Sequence, residues 1–294
     1  MGHIVAFTVV AIWGSTFVFT KLLLLSGLTP AQIFTLRFIM AYVLLLVYSL
    51  SRPSFRLFSD SWRDELLMIG LGISGGTVYF LTENSAMNYT TTTNTSLIVS
   101  LSPLVATMLI SLFYKSQRLS RVQMAGTLMA ALGVVVVVLN GHFVLHLSPL
   151  GDSLAFSAAL SWGFYSLLMI PASQRYSTLF VTRKVFIYGL LSMIPYFILR
   201  PSECWIFTSA VLQFFNLSIF LNLLFLGCVA SMVCFLAWNW AIQKLGAVAA
   251  TNYVYFNPVT TIVLAWLILS EQITVYFLLG TVLILVGMYL CDRK

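Results

Sequence analysis

Three charged residues, Lys21, Arg37 and Glu83, lie inside long apolar stretches of the sequence. An ionised side chain in such surroundings costs at least ~3 kcal/mol unless it is paired or hydrated. Since all three fall at a similar depth, we predict a cluster of net charge +1 in which Glu83 pairs with Lys21 or Arg37. Three interpretations stay open: a structural role, either as an ion pair that holds the first three spans together or with Lys21 reaching the interface; a surplus cation that attracts an anionic substrate group; or a proton-coupling role for Glu83.

Polar and aromatic side chains recur at helical spacing in the same stretches. Trp13 and Thr16 share a helix face, as do Tyr79 and Glu83. Such stripes face protein or water, and an aromatic box with amide groups suits an amphipathic metabolite. Hydrogen bonds between helices are the alternative role for single Ser and Thr residues. The predicted cavity lining comprises Trp13, Thr16, Lys21, Arg37, Tyr79, Glu83, Asn84, Ser100, Trp162, Tyr165, Trp238, Asn239, Asn252, Tyr255 and Asn257.

Membrane-spanning helices must position these side chains. The chain of 294 residues is 60% hydrophobic and 8% charged, with a mean hydropathy of +0.99. Its apolar stretches are long enough as helices to cross ~30 Å of hydrocarbon, where backbone groups must be bonded within the segment. The sequence therefore predicts an all-α integral membrane protein with ten transmembrane helices, at about 4–25, 32–50, 66–87, 93–113, 122–139, 150–171, 183–199, 217–240, 247–269 and 274–291.

The basic residues predict the orientation. Of the 15 Lys and Arg residues, Lys21 and Arg37 lie within spans, and Arg200 stands alone on one side. The other twelve fall on the side of the termini, so both termini are predicted to be cytoplasmic in a multi-pass protein of the cytoplasmic (inner) membrane. The basic residues of these loops account for the net charge of +7 and are expected to contact anionic lipid head groups, so no nucleic-acid partner is expected.

The two halves of the sequence resemble each other when one is shifted by 155 residues. The matched pairs are Gly72 and Gly227, Phe80 and Phe235, Asn84 and Asn239, Ala86 and Ala241, and Pro103 and Pro258. Each half, 1–141 and 148–294, has five predicted spans, so the second copy is inverted relative to the first. Inverted repeats predict alternating access at a site between them, and the matched Pro103 and Pro258 predict hinges or packing kinks.

Several motifs resemble EamA-type proteins of the drug/metabolite transporter superfamily. They are "AIWGSTFVFTKLLL" with "LTPAQIFTLRFIMA", "SLSPLVATML", "YFNPVTTIVLAWLILSEQIT" and the closing "LGTVLILVGMYL". The resemblance covers essentially the whole chain. It implies a carrier with a central cavity lined by spans one to four and six to nine, and with spans five and ten at the periphery. The family's acidic residue after span nine is matched by Glu271, whereas the first half has Gln117 at the corresponding place.

We therefore expect a secondary carrier of a small organic metabolite, and family analogy favours export of amino-acid-like compounds. A multidrug carrier or an importer is the near alternative. A membrane enzyme acting on lipid-linked substrates, or a non-transporting scaffold, is a more distant one. We expect no cofactor and no metal, since His142 and His146 alone make a poor metal site. The expected partners are the metabolite and the lipid bilayer, with a proton as one candidate coupling ion, and the expected state is a monomer or weak homodimer.

Overall fold

The computed structural model describes residues 1–53, 55–90, 92–114, 120–139, 148–204, 216–269 and 275–292. Within these ranges the regular structure is helical, without strands. The first half contains α1 (Gly2–Leu25), α2 (Pro30–Leu50), α3 (Trp62–Tyr89), α4 (Thr92–Val99), α5 (Ser102–Phe113) and α6 (Arg121–Leu139). The second half contains α7 (Pro149–Arg175), α8 (Thr178–Leu191), α9 (Ile194–Leu199), α10 (Leu217–Leu245), α11 (Ala247–Asn252), α12 (Asn257–Leu269) and α13 (Val275–Asp292).

Six helical segments are long and apolar enough to cross a membrane. They are Gly2–Leu25, Pro30–Leu50, Trp62–Tyr89, Pro149–Arg175, Thr178–Leu199 and Leu217–Leu245. Three shorter apolar helical stretches are Ser102–Phe113, Arg121–Val136 and Leu278–Cys291. The protein is thus a helical, multi-pass membrane protein. The count of ten spans, the inverted repeat and the orientation of the termini stay predictions.

Local sequence explains where several helices begin. Thr29 accepts a hydrogen bond from the backbone of Gln32, whose side chain accepts one from the Thr29 amide in return. This capping box, with Pro30 in the first turn, satisfies donors that a helix N-terminus would otherwise leave unpaired. Ser61 and Ser177 cap α3 and α8, each with a hydroxyl oxygen that accepts a hydrogen bond from a backbone amide of the first turn.

Two helices contain π-helical segments at matched positions. Ile73–Val78 interrupts α3, and Phe225–Val233 interrupts α10 and includes the residues 155 positions further along. Wider turns displace backbone groups from regular α-helical bonding. A neighbouring helix donates to a carbonyl in each segment: Ser161 Oγ to Ser74 O at 2.8 Å, and Trp13 Nε1 to Ala230 O at 2.9 Å. The segments therefore couple α3 to α7, and α10 to α1.

Two predicted spans are broken rather than continuous. The predicted span 93–113 divides at residues 100–101 between α4 and α5, with Pro103 in the first turn of α5. The predicted span 247–269 divides into α11, a 3-10 turn at Tyr253–Phe256 and α12, whose second residue is Pro258. Proline lacks a backbone N–H and its ring crowds the preceding turn, so it begins a helix more readily than it continues one. The span predicted at 183–199 also differs, since α8 begins at Thr178 and ends before α9.

Gly14 allows α1 to pack tightly against α12. A Cβ atom at Gly14 would lie 2.6 Å from the carbonyl oxygen of Asn257 and would overlap the side chain of Thr260. The Gly14 carbonyl also accepts a hydrogen bond of 2.8 Å from Thr261 Oγ1. Because Asn257 is a backbone contact at the start of α12, a larger residue would push the two helices apart.

Gly14→Ala is expected to destabilise the protein by about 1–3 kcal/mol through overpacking. The control is Gly70→Ala, whose Cβ would meet only the flexible Leu168 side chain at 3.2 Å. Both changes raise helix propensity equally, so the difference between them isolates the packing. Thermal unfolding of the detergent-solubilised variants measures it. Equal melting temperatures for the two variants would contradict the tight α1–α12 contact.

Candidate functional site

A narrow cavity lies between α1, α2, α3, α7, α10 and α12. Its volume is about 320 Å³ including its mouth, but the centre of a water molecule can occupy only about 20 Å³. That is roughly the room one or two waters need, so the site is contracted. The lining comprises Trp13, Thr16, Phe17, Arg37, Tyr79, Phe80, Glu83, Trp162, Phe235 and Asn257.

Arg37 is the cation of this cavity. Its side chain is buried, with 1% of the residue exposed. The guanidinium stacks over the Phe80 ring, with Cζ 4.4 Å from the ring centroid, and Nε donates to Ser231 Oγ at 2.9 Å. Ser231 belongs to the π-helical segment of α10. Stacking and the Nε bond therefore orient the guanidinium and leave its terminal nitrogens for other partners.

Glu83 is the anion of the same cavity. It is 6% exposed, and its Oε1 accepts a hydrogen bond of 2.9 Å from the phenolic hydroxyl Oη of Tyr79. Glu83 and Arg37 interact electrostatically. Within the described part of the chain, however, neither forms an ion pair at 4.0 Å or less. Two opposite charges thus face one cavity without being joined to each other.

Lys21 does not pair with Glu83. Its Nζ donates to the Met87 carbonyl oxygen at 2.7 Å. Met87 lies in the last turn of α3, where carbonyl groups lack intrahelical donors and a cation is favourable. The expected pairing of Glu83 with Lys21 is therefore wrong; Glu83 accepts a hydrogen bond from Tyr79 and interacts with Arg37 only electrostatically, without an ion pair. The composition of the α3 C-terminus did not reveal that the Met87 carbonyl oxygen competes with Glu83 for Lys21.

Aromatic rings enclose the side of the cavity next to these charges. The Trp13 ring centroid lies 5.4 Å from that of Trp162, 5.5 Å from that of Phe235 and 5.1 Å from that of Trp238. Tyr79 contacts Trp162 at 4.9 Å. The hydrogen bond from Trp13 to the α10 backbone holds this group in place. The result is a box of aromatic surface beside a carboxylate and a guanidinium.

A second cavity has a different character. It lies between α5 and α6 and is lined by Leu104, Thr107, Met108, Leu109, Ser111, Leu112, Met124, Thr127 and Leu128. These residues carry no charge, and Met108 and Leu112 are largely exposed. A groove of this composition on the outside of a helical membrane protein suits lipid chains. The Arg37–Glu83 cavity is therefore the candidate functional site.

A model of the EamA-like transporter family matches residues 1–139 and 149–291. The chain belongs to the EamA-like transporter family. It is 26% identical over 301 residues to an uncharacterized transporter of Archaeoglobus fulgidus, covering 99% of this chain and 97% of that protein. It is 28% identical over 294 residues to a probable amino-acid metabolite efflux pump of Escherichia coli, covering 98% and 93%. One crystal structure matches the fold with a TM-score of 0.74 at 21% identity, covering 99% of this chain and 96% of that one.

The structure brings seven of the predicted site residues of this EamA-like chain to the cavity wall. They are Trp13, Thr16, Arg37, Tyr79, Glu83, Trp162 and Asn257. Trp238 and Tyr165 form a layer behind them, in contact with Trp162. Tyr165 donates to Asn239 Oδ1, and Asn239 Nδ2 donates to Thr182 Oγ1 at 2.9 Å. This buried hydrogen-bond chain supports the aromatic box from the side of α8.

Five other predicted residues do not line the cavity: Lys21, Asn84, Ser100, Asn252 and Tyr255. The side chains of Asn84, Ser100 and Asn252 are buried without a hydrogen-bond partner in the described ranges. Tyr255 packs in a separate cluster with Ala130, Val134 and Ile284 from α6 and α13. Tyr255 lies in the 3-10 turn at Tyr253–Phe256, and this turn faces α6 and α13 rather than the cavity.

Three lining residues escaped the sequence analysis: Phe17, Phe80 and Phe235. Phe80 and Phe235 are a matched pair of the 155-residue shift, and this was the available signal. An apolar ring at a repeat position cannot be told from a packing residue by its type. Gln117, Glu271, His142 and His146 lie outside the described residues.

Tyr165→Phe is expected to lower stability by about 1–3 kcal/mol, because it leaves the buried Asn239 Oδ1 without its donor. Tyr255→Phe is the matched control. The Tyr255 hydroxyl is buried without a described partner, so its removal should be neutral or stabilising. Thermal unfolding in detergent compares the two. If Tyr255→Phe were as destabilising as Tyr165→Phe, the Tyr165–Asn239 bond would not be the cause.

Proposed function

We propose that the protein is a secondary active carrier that exports a small amino-acid-like metabolite by alternating access through the Arg37–Glu83 cavity. One observation carries the proposal: two opposite, unjoined charges face an aromatic-lined cavity inside a transporter of the EamA-like family. Buried charges are costly unless compensated, so a ligand with charges of its own is a suitable partner. The name of the Escherichia coli relative supports the same substrate class.

Repeated features in the two halves support the inverted-repeat mechanism. The family model matches both halves, and the π-helical segments and the proline-marked breaks recur about 155 residues apart. The bonds from α7 to α3 and from α1 to α10 each run from the first helix of one half to the π-helical segment of the other half. In our proposal the two halves, 1–141 and 148–294, rock against each other around the cavity, in a cytoplasmic membrane with both termini inside.

A buried polar network joins the halves at the far end of α3. Glu65 accepts hydrogen bonds from Lys184 Nζ and the Tyr188 hydroxyl, and its Oε2 accepts one of 2.9 Å from the Ser59 amide. The side chains of Glu65 and Lys184 are 8% and 5% exposed. Glu65 and Glu83 are 18 residues apart, about 27 Å along the helix. The network therefore lies well away from the cavity, at the end predicted to be cytoplasmic.

Further hydrogen bonds beside this network also join the two halves. Arg175 Nη1 donates to Asp64 Oδ1 at 2.6 Å, and the Tyr176 hydroxyl donates to Asp64 Oδ2 at 3.1 Å. Tyr176 Oη in turn accepts from the Asp60 amide at 2.9 Å. All these bonds cross between the first and second halves. We infer that they form a gate that is closed in this state and separates when the cavity opens to the cytoplasmic side.

Reconstituted protein is expected to exchange radiolabelled amino acids across a proteoliposome membrane, in a saturable manner. A mixed amino-acid pool on the opposite side should accelerate the exchange, because the carrier can then return with a bound substrate instead of empty. Arg37→Gln should reduce this exchange at least tenfold, because it removes the cavity's cation. The absence of exchange for every member of a broad metabolite pool would refute the carrier proposal.

Glu65→Gln is expected to loosen the gate, because it leaves Lys184 buried without a counter-charge. The readout is maleimide labelling of Ser59→Cys, introduced where the hydroxyl is buried, with the four native cysteines replaced by alanine. Labelling should become at least threefold faster. Glu203→Gln is the control, since Glu203 pairs with Arg200 elsewhere. Unchanged labelling in a folded Glu65→Gln protein would contradict the gate.

A further inference from the structure

We propose that Arg37 and Glu83 form a clamp for a single zwitterion, in which Arg37 binds the α-carboxylate and Glu83 binds the α-ammonium group. The aromatic box holds the apolar side chain of the same molecule. This inference rests on the proposed transport function and makes it specific. The substrate class is therefore α-amino acids with an aromatic or large aliphatic side chain.

The carboxylate site is one end of Arg37. Its Nε is already bonded to Ser231 and its flat face rests on Phe80. Among the described residues, no protein acceptor is bonded to the two terminal nitrogens, and the residue lines the cavity. A guanidinium fixed in this way presents two parallel N–H groups, which match the two oxygens of a carboxylate.

The ammonium site is Glu83. Tyr79 occupies Oε1, and Oε2 has no hydrogen-bond donor among the described residues. Tyr79 and Glu83 are one helical turn apart on α3, so the bond between them fixes the direction of the carboxylate. An ammonium group provides three donors and a positive charge, and it suits an acceptor of this kind.

The separation of the two charges distinguishes a clamp from a structural ion pair. A structural pair would close to within 4.0 Å, as Lys184 and Glu65 do at the other end of α3. Arg37 and Glu83 instead remain apart on the wall of one cavity. A ligand that carries a single charge would compensate one of them and leave the other buried without a partner. A zwitterion compensates both at once.

The aromatic box accounts for the third part of the ligand. Trp13, Trp162 and Phe235 form the wall beside the charges, and their centroids lie 5.4 to 6.1 Å apart. The Trp162 Nε1 group is buried and has no described partner. Because the cavity is contracted, the rings must move apart to admit a side chain. Binding of an apolar side chain would then stabilise the open form of the site.

The first experiment compares three related probes in full-length protein reconstituted into proteoliposomes. L-Phenylalanine carries both charges, phenethylamine lacks the carboxylate and 3-phenylpropionate lacks the ammonium group. The readout is inhibition of exchange of a radiolabelled amino acid. We expect each single-charge probe to inhibit at least tenfold more weakly than L-phenylalanine. Equal inhibition by the three probes would overturn the clamp while leaving the carrier proposal intact.

Two variants then test the assignment of the charges, with binding followed by thermal stabilisation of the purified protein. Glu83→Gln should lose at least tenfold in L-phenylalanine affinity and should improve 3-phenylpropionate relative to L-phenylalanine. Arg37→Gln should instead favour phenethylamine. Glu203→Gln, remote from the cavity, should change neither preference. If Glu83→Gln kept its probe preference but lost the response of exchange to a pH gradient, Glu83 would be a proton-coupling acid and the clamp would be wrong.

If Arg37→Gln does not fold, the probe comparison in the unmodified protein and the Glu83→Gln variant still decide the proposal. Failure of exchange with every substrate in a broad pool has a different meaning, since it would refute the transport function itself. The two failures are therefore distinguishable.

Discussion

A charge buried in a membrane protein must be compensated, and this constraint organises the structure. Lys184 and Glu65 meet the requirement with each other at one end of α3. Lys21 meets it with a carbonyl group at the other end of the same helix. Arg37 and Glu83 act on each other electrostatically without forming an ion pair, and among the described residues their direct contacts are stacking and neutral hydrogen bonds with Phe80, Ser231 and Tyr79. The protein thus compensates the buried charges of Glu65 and Lys184 completely and those of the cavity incompletely, so a ligand can supply the missing partners there.

The second constraint concerns the backbone. Within lipid every peptide group needs a partner, so each departure from a regular helix must be satisfied by a neighbour. The π-helical segments of α3 and α10 illustrate this, since Ser161 and Trp13 donate to their carbonyl oxygens. These bonds connect elements from different halves close to the cavity. The irregular turns therefore join the two halves at the site where the ligand is proposed to bind.

Much of the site was accessible from sequence because membrane burial makes polar residues conspicuous. Arg37, Glu83 and Trp13 stood out by type alone, and helical spacing added Tyr79. The roles of Lys21 and Tyr255 were not accessible in this way. Lys21 donates to a backbone carbonyl group of another helix, and Tyr255 packs against α6 and α13. Phe80 and Phe235 were visible only as a repeated pair.

The sequence by itself determined that the chain is helical and membrane-spanning, because hydropathy and segment length are summed over many residues and tolerate local errors. It also determined which charges lie in apolar surroundings. Only the tertiary structure decided which of these charges are partnered. An ion pair depends on distances of a few ångströms between side chains on different helices, and spacing along one helix carries no information about them. Distances of this kind join Glu65 to Lys184 in an ion pair and keep Arg37 apart from Glu83 on the cavity wall.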